Sequence, residues 1–158
     1  MEKDIIIDKK SEKCEIVRVE NIGEILKIIC EFDSEFKPSL SERLKDLEIY
    51  SEKLYENAIF LKAMRNNETI AFAAFYANDK KTGVAYLTQI AVKNKVQKED
   101  VGRDMLKECI NYSVANDMRQ MKLEVVMSNV GAIEFYKKNG FEFCGEASQY
   151  SKYMYKNL

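Results

Sequence analysis

A chain of 158 residues, 46% of them apolar, is long enough for one domain around a substantial core. Its net charge of −1 lacks the basic footprint of a nucleic-acid binder or of a protein drawn to an acidic membrane, and no apolar run approaches the ~20 residues of a membrane span. Histidine is absent, which removes Ser-His and Cys-His catalysis and His-ligated metal sites, so any acid–base chemistry falls to Asp, Glu, Tyr, Cys, Lys or water.

The first ten residues, "MEKDIIIDKK", carry acids and only three consecutive isoleucines, unlike a signal peptide. The expectation is a cytoplasmic protein, one domain over 1–158 with a flexible lead at 1–12. Cysteines 14, 30, 109 and 144 are far apart, so neither a disulfide framework nor a zinc site is expected, and no metal is implied. "CEIVRVE" (14–20) alternates as a strand does. Residues 21–36 carry apolar side chains at 22, 25, 26, 29 and 32, the stripe of a helix. A second helix is predicted over 39–58, with Ser39 or Ser41 as cap and Leu40, Leu44, Leu47, Tyr50 or Ser51, and Leu54 on its inner side. Residues 59–92 read as three strands separated by turns at "RNNE" and "NDKKTG".

A helix follows at 101–116, with Val101, Met105, Ile110 and Tyr112 among its inward residues, then a strand at 121–126. In "NVGAIEFYKKNGF", Asn129 can cap a helix and Gly140 can close it in the left-handed conformation. Tyr136 within it is either a core aromatic or a hydroxyl placed for chemistry. "GFEFCGEAS" and "YSKYMYKNL" supply two last strands. The order β-α-α-β-β-β-α-β-α-β-β describes a mixed α/β sheet with helices on both faces.

The chemistry concentrates in 84–141. Strand "VAYLTQIAV" feeds "KNKVQKEDVGRDML", a turn into a helix, where free backbone N–H groups and the positive end of the helix dipole suit a phosphate. This loop, with Val92, Gln97, Gly102 and Leu106, and the segment "LEVVMSNVGAIEFYKKNGF" resemble the acetyl-CoA site of the GNAT acyl-CoA N-acyltransferase family. The order of elements is similar over essentially the whole chain, and residues 1–58 match only as pattern.

The resemblance implies an N-acetyltransferase that moves an acetyl group from acetyl-CoA to a primary amine. Ile90 and Val92 would offer main-chain hydrogen bonds to the pantetheine arm. The backbone of 97–103, including Gln97, Lys98, Val101, Gly102 and Arg103, would hold the pyrophosphate. Asn129 would bond the pantetheine, as well as or instead of capping, and Ala132 would leave the arm room. Tyr136 matches the family tyrosine that faces the thioester sulfur. Ordinary pKa values of about 10 for Tyr and 8.5 for a thiol make full proton transfer to the departing thiolate uphill by about 2 kcal/mol, so a hydrogen bond serves at least as well.

Two departures stand out. Asp100 occupies the first glycine position of the loop. A carboxylate about 6 Å from a phosphate charge costs roughly 1–3 kcal/mol at an effective dielectric of about 20–40, a ten- to hundredfold loss of affinity. Asp100 can also act as a helix cap, and Lys93, Lys95, Lys98 and Arg103 can offset its charge. Second, 84–92 contains no carboxylate to serve as the family's base. Tyr86 and Thr88, on the same strand face as Ile90 by simple alternation, can hold a relaying water, and Glu124 on the next strand is the other candidate.

The acceptor is expected between 33–58, where Glu48, Tyr50, Glu52, Tyr55 and Glu56 offer acids and phenols, and 76–79. It can be a small metabolite, an amino sugar or a peptide amine. Relatives of this kind are often homodimers. The competing reading is a non-catalytic module that binds acyl-CoA or a protein partner.

Overall fold

The computed structural model describes residues 14–36, 39–43, 46–97 and 99–158. Its centre is a seven-stranded sheet in the order β1-β2-β3-β4-β5-β7-β6. Strands β1 (Glu15–Arg18), β2 (Ile59–Arg65), β3 (Glu68–Tyr76) and β4 (Val84–Val92) pair antiparallel in succession. Asn66 and Asn67 form the β2–β3 turn at φ 51° and 61°, the backbone that a two-residue hairpin requires and that Asn tolerates. Strand β5 (Gln120–Val126) is parallel to β4, and the crossover that parallel neighbours need is helix α4 (Val101–Ala115).

After β5 come helix α5 (Val130–Lys138), β6 (Glu142–Glu146) and β7 (Ser151–Asn157). The last strand inserts between β5 and β6, antiparallel to both. The β5–α5–β6 unit therefore has its two strands in the same direction but not adjacent.

Helix α1 (Ile22–Phe32) begins at Asn21, whose side chain accepts from the Glu24 N–H, and buries Ile25, Ile28, Ile29 and Phe32. It lies with α3 (Leu47–Asn57) on one face of the sheet. Phe60 and Phe72 stack at 5.2 Å, and Phe32 meets Phe72 edge-on at 5.2 Å, so aromatic packing fastens α1 to β2 and β3. The opposite face carries α4 and α5 over Leu61, Ala73, Phe75, Leu87 and Leu123. Each such large side chain withdrawn from water contributes roughly 1.5–3 kcal/mol.

The helix predicted over 39–58 is two. A four-residue turn, α2 (Leu40–Arg43), precedes α3. The restart has its own cap, Asp46, which accepts from the N–H groups of Glu48 and Ile49. Ser39 accepts only a long 3.4 Å bond from the Glu42 N–H, and Ser41 donates to Asp33 instead. Leu44 and residues 1–12 lie outside the described residues.

Candidate active site

The site begins with a fault in β4. Ala74 faces Gln89 and Phe75 faces Leu87, so Thr88 is an extra residue, a β-bulge. The bulge reverses alternation. Ala85 and Leu87 belong to the core under α4, and so do Ile90 and Val92, although the parity has changed. Tyr86 therefore lies on the opposite face from Ile90, paired with Tyr76 on the α1–α3 side. The simple alternation that put Tyr86 beside Ile90 is corrected by that one inserted residue, whereas Thr88 borders the second cavity together with Ile90.

The bulge also ends the β4–β5 ladder. The two strands pair only from Val84 to Tyr86 against Gln120 to Lys122. Beyond that point they part, and the gap is the cleft. Two adjoining cavities of about 750 and 710 Å³ fill it, and both are bordered by Ile90, Val92, Gln97, Asn129, Ala132 and Tyr136.

The first cavity reaches the start of α4. The amides of a helix's first turn have no intrahelical acceptor; of Val101, Gly102 and Arg103, the last two border the cavity. Those of Gln97 and Glu99 are taken by the carbonyls of Asn94 and Val96 in the preceding 3₁₀ turn (Asn94–Val96). The donor set is thus narrower than the whole of 97–103. The Gln97 side chain turns back to donate to the Val92 carbonyl at 3.1 Å. Val101 is buried and offers backbone only. Gly102 packs on Phe135 and Val92, and a Cβ there would meet them at 3.5 and 3.6 Å, ordinary contact. Lys98 lies outside the described residues.

Asp100 makes no capping bond and has an ordinary φ of −77°. It pairs with Arg103 Nη2 at 3.2 Å on the exposed surface. Lys93 and Lys95 do not offset it: both pair with Glu68.

Helix α5 brings its residues to the cleft by spacing. Asn129 Oδ1 caps the helix by accepting from the Ala132 N–H at 3.1 Å, which leaves the amide NH₂ for another partner. Ala132 and Tyr136 follow on the same face. Gly140, at φ 90°, closes the helix. The Tyr136 ring packs edge-on against Phe135 and Phe141, at 5.3 and 5.6 Å. Burial pushes its phenol above the ordinary range, with the Cys109 thiol adding a smaller push. It is a core aromatic and a cleft residue at once.

The second cavity opens toward α1. Ser34, Glu35 and Phe36 border it, with Gln89 and Glu124 opposite. The acceptor elements read from sequence are met only in part: of 33–58, residues 34–36 border the cavity and α3 does not, and 76–79 lie at the closed end, where β4 still pairs with β5. Glu124 and Tyr153 face each other across β5 and β7. Burial first, then the Glu124 charge and Tyr153, push the Tyr86 phenol up to about 12. Residues 34–36 fall within the expected 33–58 and Glu99 within 97–103, while Gly131 and Lys138 were not anticipated. Gly131 and Lys138 were within reach, since they flank Phe135 at helical spacing. Residues 34–36 follow α1 in a short 3₁₀ helix, Asp33–Glu35, and the residue after it. Among the described residues no group of His, Cys, Asp and Glu could hold a metal, and no helix is long and apolar enough to cross a membrane.

The fold and cleft define a class: a mixed α/β protein whose sheet splits between β4 and β5. The family model for the acetyltransferase (GNAT) family matches residues 24–141, and the chain belongs to that family. An uncharacterised N-acetyltransferase of Methanocaldococcus jannaschii is 32% identical over 81 residues, 49% of this chain and 36% of that one. The chain thus spans about a third of that curated relative's length. Among solved structures, the Thermoplasma acidophilum PaiA N-acetyltransferase in complex with coenzyme A has the same fold, with TM-score 0.74 and 18% identity over 92% of this chain and 99% of that one. So does the Escherichia coli ribosomal-protein-S18-alanine N-acetyltransferase, at TM-score 0.75 and 18% identity over 92% and 94%.

Proposed function

We propose that the protein transfers an acetyl group from acetyl-CoA to a primary amine. One observation carries this reading: the parted β4 and β5 form a continuous path from the first-turn amides of α4 to Tyr136. The pyrophosphate would rest on the amides of Val101, Gly102 and Arg103. The pantetheine arm would run along Ile90 and Val92, whose β5-facing edge has no strand partner beyond Tyr86. Asn129 would donate its free NH₂ to the arm, and Ala132 would give it space.

In the reaction the amine nitrogen attacks the thioester carbonyl, the C–S bond breaks, and the amine's proton leaves to a base. Glu124 is the better base because it borders the cavity, whereas Tyr86 sits behind it and would orient Glu124 or a water. Tyr136, its phenol raised by burial, holds its proton tightly. It would stabilise the departing thiolate by donating a hydrogen bond rather than by giving the proton up. The acceptor would enter past Phe36 between Glu35 and Glu124, two carboxylates suited to a cationic amine. Such an enzyme would work where acetyl-CoA is made and used, in the cytoplasm.

The alternative, acyl-CoA binding without turnover, draws support from Asp100 at the phosphate end and from the lack of a carboxylate on β4. Calorimetric titration with acetyl-CoA, followed by a thiol-release screen of diamines, amino sugars and peptides, separates the two. Binding with thiol release on one amine class is the expected result. Binding with no release across the panel favours the acyl-CoA module, and no binding at millimolar acetyl-CoA removes the enzyme and favours a module that binds a protein partner.

A further inference from the structure

The loop that would receive the pyrophosphate bears two adjacent acids, Glu99 and Asp100, and both border the cavity. They are treated differently. Asp100 is paired only with Arg103 of its own helix, with both side chains more than half exposed. Glu99 is gripped from across the molecule. Arg65, the last residue of β2, sends Nη1 to both Glu99 carboxylate oxygens at 3.2 Å, and its Nη2 donates to Cys14 Sγ at 3.4 Å. The Arg65 and Glu99 side chains are 16% and 26% exposed, so solvent screens this pair far less than the Asp100 pair. The Glu99 N–H is also bound, to the Val96 carbonyl.

We propose that Arg65 is a positioning residue of the coenzyme loop: it neutralises Glu99 and ties the loop to the sheet, so that the α4 amides meet the pyrophosphate without a second opposing charge. This rests on the acetyl-CoA reading of the cleft. Without Arg65, the Glu99 carboxylate would stand beside the phosphates. At a separation of about 7 Å and an effective dielectric of about 40, one such repulsion weakens binding about sevenfold per phosphate charge.

The test compares the full-length parent, Arg65→Met, Arg65→Met/Glu99→Gln and Arg65→Lys, each with a melting curve. Calorimetry with CoA and with pantetheine, which lacks the pyrophosphate, is run at 50 and 500 mM salt. Arg65→Met should weaken CoA binding about tenfold at low salt and less at high salt, and leave pantetheine binding unchanged. Adding Glu99→Gln should restore most of the affinity. Arg65→Lys, with charge but no fork, should fall between. In turnover the effect should appear in KM for acetyl-CoA and not in kcat.

Equal losses for CoA and pantetheine, no salt dependence, or no rescue by Glu99→Gln would overturn the proposal and leave Arg65 a structural residue. If Arg65→Met does not fold, the double variant decides: it is neutral at both positions and should bind CoA within threefold of the parent, and a tenfold loss overturns the idea. A parent that binds no CoA overturns the acetyl-CoA reading and this proposal together. A parent that binds, with an Arg65→Met variant of equal affinity, overturns this one alone.

Discussion

The Tyr136 ring is held by Phe135 and Phe141, while its position at the base of both cavities leaves the hydroxyl a role beyond packing. Tyr136→Phe keeps the ring and should change stability by only about 1 kcal/mol. Turnover should fall about 10²–10³-fold, with acetyl-CoA affinity nearly constant. Steady-state kinetics with matched melting curves check this, and an unchanged kcat would return Tyr136 to the core alone. Asp100 is a residue-scale question of another kind. It neither caps α4 nor needs unusual backbone angles, so what remains is its charge. Asp100→Gly should tighten CoA binding, with a gain that shrinks in high salt. Asp100→Asn should recover much of that gain, because shape is kept and charge removed. If both variants bind no better than the parent, Arg103 already compensates the carboxylate and the electrostatic argument fails.

Two elements turn a common sheet into a cleft. The Thr88 bulge in β4 ends the pairing with β5 and re-aims everything after it, the usual effect of one extra residue in a ladder. Helix α5 then lines the opening through the 129–132–136 spacing, with Asn129 both capping the helix and facing the cavity. The two duties can be separated. Asn129→Asp keeps an oxygen for the Ala132 N–H and suits the helix dipole, so melting should be unchanged or slightly higher. It loses the NH₂ donor and adds a charge, so CoA binding should weaken about tenfold or more. Asn129→Ala should lose binding and about 1 kcal/mol of stability as well. Retained CoA affinity in Asn129→Asp would confine Asn129 to capping.

Across the whole molecule, burial acts on Tyr86, Cys109 and Tyr136 together, and raises all three above their ordinary values. The folded protein holds these protons more tightly than the unfolded chain. Their contribution is therefore fully present below the unfolded values of about 9–10 and is lost as pH rises through the folded ones, about 12 for Tyr86. Melting temperature should be flat from neutral pH to about 9 and then fall steeply, with phenolate absorbance from buried tyrosines appearing only as the protein unfolds. Early phenolate absorbance at a constant melting temperature would contradict this.

What local pattern determines was legible in the chain: the β2–β3 turn, the helix between Asn129 and Gly140, the strand periods and the loop that runs from β4 into α4. Such features depend on backbone preference and on neighbours three or four residues away. The family resemblance rested on these same segments. Other features were decided only by tertiary packing. The face of Tyr86 depends on a bulge set by how β4 registers against β3. Which part of 33–58 reaches the cavity, residues 34–36 and not α3, depends on how the helices pack on the sheet. Arg65 and Glu99 meet although 34 positions separate them. Alternation along one strand carries no information about an extra residue opposite its partner, nor about which distant charges share a wall, because both follow from how the layers close on each other.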